Sequence, residues 1–91
     1  MTKQTVSDES IRDRVRSFLF GEYLDSGEDS NLTNETPLIT GGILDSIATV
    51  RLVVELEEEY NLSFEAHDVT VDNFDTISKI IGLIRQKMSG Q

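Results

Sequence analysis

The sequence predicts an all-α fold, a four-helix bundle with a short third helix and a long loop between helices 1 and 2. Three observations predict it: apolar residues recur at helical spacing, no stretch alternates like a half-buried strand, and the 91 residues include no cysteine. A chain this short without disulfides usually depends on well-packed helices for stability. We therefore expect a single domain over residues 1–91, ordered from about residue 7 to residue 88, and a monomer.

The first helix is predicted to run from Ser7 or Asp8 to about Tyr23. A capping residue precedes it, acids occupy its first turn, and one face carries the apolar residues Ile11, Val15, Phe18 and Leu19. Residues 25–31 then form a turn cluster, and a long connection with the only proline, Pro37, runs to Gly42. Because such long loops are uncommon unless they are functional, we expect Leu38 and Ile39 to pin this one to the core.

The second helix is predicted from about Ser46 to Tyr60, directly after the glycine pair. Residues 66–71 leave room for only one or two helical turns. The last helix is predicted to begin near Asp75, a good N-cap residue, and its last turn contains basic residues that suit the negative end of the helix dipole. Its apolar face is predicted to contain Ile77, Ile80, Ile81 and Ile84.

The second helix carries two apolar faces where a helix packed on a bundle needs only one. At about 100° per residue, the core face comprises Thr49, Leu52, Val53, Leu56 and Tyr60. The other face is a strip of Ile47, Val50 and Val54, bordered by Arg51, Glu55 and Glu58. Either Val50, with or without Val54, packs against the long loop or the short third helix, or the strip is an exposed docking surface whose charged rim orients a partner.

The charge distribution restricts the kind of partner. The net charge is −9, and residues 22–66 hold eleven acidic side chains but only one basic side chain, Arg51. Nucleic acid would require a basic surface, so it is excluded, whereas basic protein surfaces are favoured. The alternative is that the acidity only keeps a small protein soluble. No apolar run approaches the ~20 residues of a membrane span and the first residues lack a signal core, so we expect a cytoplasmic protein.

One hydroxyl stands out because it is predicted at the exposed N-terminus of a helix, where a phosphate is favoured. It belongs to Ser46, in the string Gly41-Gly42-Ile43-Leu44-Asp45-Ser46-Ile47. This string resembles the 4′-phosphopantetheine attachment site of acyl carrier proteins, in which a serine carries the prosthetic group as a phosphodiester. The resemblance extends from about residue 10 to residue 87. It includes Thr36-Pro37-Leu38, the acidic stretch 56–60 that ends in an aromatic residue, and residues 72–77 as the segment joining the short third helix to the fourth.

The resemblance implies transport rather than catalysis. Ser46 would be the modified residue and Asp45 the acid before it, while Ile47, Val54, Glu55 and Glu58 would be recognised by partners. The thiol of the prosthetic group would carry an acyl or aminoacyl group as a thioester in fatty acid, polyketide or nonribosomal peptide biosynthesis. The implied partners are a phosphopantetheinyl transferase, an adenylating ligase or acyltransferase, and downstream enzymes with basic docking patches.

Two positions differ from many fatty-acid carriers, which have acids there: Ala48 and Arg51. Residues 45–50, with Phe74-Asp75-Thr76 and Lys79-Ile80-Ile81, look closer to free-standing carriers of the D-alanyl or aminoacyl type, which an adenylating ligase loads.

Three other functions must be compared with this one. A hydrolase would need His67 and Asp45 to activate Ser46, but no oxyanion motif accompanies the serine. An unmodified helical adaptor would use the acidic second helix alone. Calcium binding by Asp25, Glu28 and Asp29 lacks EF-hand spacing, so we expect solvated loop acids and no metal site.

Overall fold

A computed structural model describes residues 7–22 and 32–89 of the chain. The described residues form no strand, and their helices are α1 (Asp8–Glu22), α2 (Ser46–Tyr60), α3 (Val71–Phe74) and α4 (Ile77–Ser89), with a 3-10 turn at Ala66–Asp68. The predicted all-helical class is confirmed. The turn cluster at 25–31, and with it the calcium hypothesis, lies outside the described residues. None of the described helices has the length and apolar character needed to cross a membrane.

The core lies where the apolar faces of the helices meet. Eleven large side chains are almost fully buried: Ile11, Val15, Leu19, Leu38, Leu44, Leu52, Leu56, Phe74, Ile77, Ile80 and Ile84. Full burial of one such side chain is worth about 1.5–3 kcal/mol, so the predicted core faces of α1 and α4 stabilise the fold. Ile81 of α4 is also buried, whereas Phe18 of α1 is only half-buried. The ring of Phe64 meets that of Phe74 edge-on at 5.7 Å, which closes the core under α3.

The ends of α1 and α2 follow ordinary capping chemistry. Ser7 caps α1, since its Oγ accepts a hydrogen bond from the Ser10 amide at 3.1 Å. The residue after α2, Asn61, has a φ of 56°, and its N–H bonds the carbonyl of Glu57. Asparagine tolerates this left-handed conformation better than most residues, which explains the stop at Tyr60.

The segment after α2 differs from the prediction. The 3-10 turn at Ala66–Asp68 ends before Thr70, which is extended, and a new helix, α3, starts at Val71. Residues 72–74 therefore belong to a helix, and the prediction that they form the connection to the last helix is wrong. A partly buried ion pair lies at this break: Asp68 Oδ2 is 2.6 Å from Lys87 Nζ of α4 and also accepts the Glu65 amide at 2.8 Å.

The start of α4 also differs, because Thr76 rather than Asp75 caps it. Thr76 Oγ1 accepts the Lys79 amide at 3.1 Å, and the helix begins at Ile77. The prediction of Asp75 as the N-cap is therefore wrong. Its carboxylate instead accepts the backbone amides of Ile39 at 2.8 Å and Thr40 at 2.9 Å. The side chain that was predicted to cap α4 therefore accepts hydrogen bonds from backbone amides of the loop before α2 instead.

Candidate functional site

Ser46 lies at the first position of α2. Its neighbour Asp45 is the N-cap, in extended conformation, and its Oδ1 accepts the Ala48 amide at 2.8 Å. The carbonyl of Asp45 accepts both the amide and the hydroxyl of Thr49, at 2.9 and 2.8 Å. Ser46 is exposed, and its hydroxyl makes no hydrogen bond within the described part of the chain. A free hydroxyl therefore stands beside the positive end of the α2 dipole, and Asp45 fixes the start of the helix.

The glycine pair makes the preceding turn sterically feasible. Gly42 has a φ of +88°, a conformation that side chains rarely adopt. A Cβ on Gly41 would collide with the carbonyl oxygen of Pro37. After the turn, the buried Leu44 donates its amide to the carbonyl of Leu38 at 2.7 Å, so the chain enters α2 from a fixed point. The predicted anchoring of Leu38 is confirmed by its complete burial, and Ile39 is half-buried against the core.

A largely apolar groove of about 510 Å³ adjoins Ser46. It lies between the first turn of α2, the loop before it, and the segment that leads into α3. Its apolar lining comes from Ile39, Leu44, Val50, Val69 and Val71. The groove opens to solvent beside the hydroxyl, so a flexible group attached to Ser46 could lie along it without disturbing the core.

The strip of Ile47, Val50 and Val54 is exposed, by 68%, 57% and 46% respectively. The hypothesis that Val50 and Val54 are covered by the loop or the third helix is therefore wrong, although Val50 borders the groove. Val53, one residue away from Val54, is only 9% exposed. The predicted core face is confirmed, since Thr49, Leu52, Val53 and Leu56 are buried and Tyr60 is half-buried against the core. Ala48, one helical turn before Leu52, is also buried on this face, although it was not predicted there.

Of the three charged side chains that border the strip, only one forms an ion pair within the described part of the chain. Arg51 and Glu58 are exposed and make no ion pair among the described residues. Glu55, in contrast, lies 3.1 Å from Arg14 of α1, and the same guanidinium lies 3.3 Å from Glu59. The side chain available to a partner near Ser46 is therefore a cation, Arg51, while the nearest carboxylate on the rim is already engaged.

His67 lies in the 3-10 turn rather than at the serine. Its ring nitrogens are 3.5 Å from Glu65 and 3.6 Å from Asp68. It has no contact with Ser46 or Asp45, so residues 7–22 and 32–89 do not assemble the triad of the hydrolase hypothesis. No group of three His, Cys, Asp or Glu side chains in the described ranges could hold a metal ion.

Comparison with known proteins decides the family. The family model described as the phosphopantetheine attachment site matches residues 19–84, which contain α2 and the turn before it. The chain belongs to this family of carrier proteins. The D-alanyl carrier proteins of three Streptococcus pyogenes strains, serotypes M5 (Manfredo), M49 (NZ131) and M1, are each 35% identical to it over 54 residues, which are 59% of this chain and 68% of theirs.

The cofactor of this carrier protein is therefore 4′-phosphopantetheine, bound covalently. The site fits such a group, since it offers an exposed hydroxyl, the first amides of α2 beside it, and an adjoining groove. Members of the family typically serve as substrates of other enzymes rather than as catalysts.

Proposed function

We propose that Ser46 is the attachment residue and that the chain carries an acyl or aminoacyl group between enzymes. The observation that carries this proposal is the exposed, unbonded hydroxyl of Ser46 at the first position of α2, inside the matched family segment. Ser46 Oγ would provide the oxygen of the phosphodiester. Residues 1–91 would act as one carrier domain.

The chain's own residues prepare this reaction without catalysing it. Asp45 fixes the start of α2, so the Ser46 hydroxyl points into solvent and is accessible to a transferase. The first amides of α2 and its dipole favour the negative charge of the phosphodiester. The bound group supplies the thiol that this cysteine-free chain lacks, and with it the thioester chemistry. Tethering raises the effective concentration of the cargo at a partner's active site.

For the cargo we propose an aminoacyl group loaded by an adenylating ligase. The relatives are named for the D-alanyl group, and the chain has Ala48 and Arg51 where many fatty-acid carriers have acids. Ala48 is 1% exposed, so an acid there would be buried without a partner. An acyltransferase and an acyl cargo remain the alternative. Incubation of the modified protein with ATP and a D-alanine ligase, compared with a fatty-acyl ligase, separates the two by intact mass.

We further propose that partners dock on the strip of Ile47, Val50 and Val54. Its exposure next to Ser46 supports this, because large apolar side chains grouped on a small protein usually mark an interaction surface. Arg51 and Glu58, which are unpaired among the described residues, would orient the partner from the two ends of the strip. Glu55 would contribute less than the sequence suggests, since Arg14 holds it.

The modification is tested by incubating the protein with coenzyme A and a promiscuous phosphopantetheinyl transferase. The expected result is a gain of one phosphopantetheine mass in the wild-type chain and none in Ser46→Ala. The variant should stay folded, because Asp45 rather than Ser46 caps α2. No mass gain in the folded wild-type chain would contradict the proposal and favour an unmodified adaptor.

A further inference from the structure

The carboxylate of Asp75, which lies between α3 and α4, accepts hydrogen bonds from three donors of the loop before α2. Oδ1 accepts the amides of Ile39 and Thr40 at 2.8 and 2.9 Å, and Oδ2 accepts the Thr40 hydroxyl at 2.9 Å. These bonds join residues 35 and 36 positions apart in the sequence. They favour the ionised form, so the pKa of Asp75 is lowered, chiefly by the Thr40 amide.

The backbone of Asp75 reinforces the same connection. Its carbonyl accepts the Leu38 amide at 2.5 Å, and the carbonyl of Leu38 accepts the Leu44 amide at 2.7 Å. Leu44 directly precedes the N-cap Asp45. A short path of hydrogen bonds therefore runs from the α3–α4 junction to the start of α2.

Between Leu38 and Leu44 the loop has few backbone hydrogen bonds of its own. Within residues 39–44 the one backbone hydrogen bond among the described groups runs from Gly42 to Ile39, at 3.1 Å. Gly41 and Gly42 are exposed, and glycine has the largest conformational freedom to lose on ordering. Asp75 therefore supplies the side-chain acceptors for the amides of Ile39 and Thr40, while Leu38 and Leu44 anchor the two ends of the loop in the core.

We propose that Asp75 is a positioning residue for the modification of Ser46, because it holds the glycine loop in the conformation that presents the serine to the transferase. This inference rests on the proposed function of Ser46. If the hydrogen bonds to Asp75 are lost, the loop adopts the conformation that presents Ser46 for only part of the time. The apparent affinity of a partner then falls in proportion to the competent fraction, whereas the chemistry at Ser46 is unchanged once the complex forms.

The test compares steady-state kinetics of phosphopantetheine transfer for Asp75→Ala and Asp75→Asn. Alanine removes the acceptors of all three side-chain hydrogen bonds. Each lost hydrogen bond corresponds to roughly a fivefold change in the equilibrium between the ordered and the open loop, so KM should rise at least about fivefold with kcat nearly unchanged. Asparagine keeps Oδ1 for both amides and can donate to the Thr40 hydroxyl, so it should restore a KM close to the wild-type value. Amide hydrogen exchange should show faster exchange at Ile39 and Thr40 in Asp75→Ala only.

Ile84→Val is the matched control for loss of stability. Ile84 is fully buried in α4 and takes no part in the three hydrogen bonds of the Asp75 side chain, so its truncation lowers the melting temperature and leaves those bonds in place. The KM of this variant should stay at the wild-type value. Asp75→Ala with a wild-type KM, or Ile84→Val with the same rise in KM at equal destabilisation, would overturn the inference. Either outcome would leave the wild-type chain modified at Ser46, whereas failure of the proposed function would show as an unmodified wild-type chain.

Discussion

At the scale of single residues, Asp68 is the carboxylate that connects the 3-10 turn to α4. Its side chain and that of Lys87 are 10% and 20% exposed, and their closest atoms are 2.6 Å apart. The Asn73 side chain bonds the Asp68 carbonyl at 2.9 Å, and His67 lies at the outer edge of the pair. The pKa of Asp68 is lowered, mainly by the hydrogen bond from Lys87 and then by the Glu65 amide.

This shift predicts a pH dependence of stability with a definite sign. Because the pKa of Asp68 is lower in the folded chain than its unfolded value of 3.8, the ionised form stabilises the fold above that pH. The stabilisation is lost as the pH falls through the lower, folded pKa. The difference in free energy of unfolding between wild type and Asp68→Asn should therefore be constant near neutral pH and shrink in strong acid.

Urea unfolding at a series of pH values measures this difference. The exposed Asp72, four residues along the chain, provides a control, since Asp72→Asn should change stability little at any pH. A wild-type advantage over Asp68→Asn that is the same at pH 7 and in strong acid would show that the ion pair does not act as described.

Which residues could be predicted depends on how local their partners are. Asp45, Ser46 and the glycine pair were readable because a cap, a helix start and a tight turn are set by neighbours in the chain. Asp75 was misassigned because Asp and Thr, adjacent in sequence, are both good N-caps. The choice between them is made by loop amides some 35 positions earlier, at Ile39 and Thr40, which no local pattern reveals.

At the scale of elements, α2 has one apolar face in the core and a second apolar face exposed to solvent. The adjacent residues Val53 and Val54 lie on opposite sides of this division, with exposed fractions of 9% and 46%. Val54→Asp should therefore leave the melting temperature nearly unchanged while loading by the transferase or ligase falls sharply. Val53→Asp should unfold or strongly destabilise the protein, because it buries an unpaired charge.

Thermal melts and loading kinetics on the two variants separate these effects. A Val54→Asp protein that melts as low as Val53→Asp would place Val54 in the core. Normal loading of a well-folded Val54→Asp protein would show that Val54 is not part of a docking surface.

The helices themselves were predicted with unequal success. The bounds of α2 agree with the structure at both ends because a cap precedes it and Asn61 stops it. The third helix was misplaced, and the last residue of the 3-10 turn, Asp68, pairs with Lys87 from an element near the end of the chain, a partner that local sequence does not reveal. A helix of four residues is also too short to show a hydrophobic periodicity in the sequence.

At the scale of the whole molecule, the negative charge is unevenly distributed, and basic side chains neutralise part of it. Arg14 of α1 reaches both Glu55 and Glu59 of α2, so part of the acidic region is neutralised by a neighbouring helix. The net charge of −9 still implies self-repulsion, which salt screens as the Debye length falls from about 10 Å at 0.1 M to about 3 Å at 1 M. Added NaCl should therefore raise the melting temperature.

Arg51→Glu should increase this response, because it replaces an unpaired exposed cation of the described region with another acid. Melts in NaCl should be compared with melts in sucrose, a neutral osmolyte, to separate screening from general exclusion effects. The same salt should weaken binding to a basic partner. A melting temperature indifferent to NaCl up to about 0.5 M in both proteins would show that the acids are already spaced or paired well enough.

The central claim is that Ser46 carries the prosthetic group, and peptide-level mass spectrometry of the transferase-treated protein tests it most directly. Ser78 offers a matched control, since it also lies in the first turn of a helix but donates its hydroxyl to Glu35 at 2.6 Å. We predict that the added mass maps to the peptide containing Ser46, persists in Ser78→Ala and disappears in Ser46→Ala. Modification mapped to any other serine, or retained in Ser46→Ala, would contradict the account.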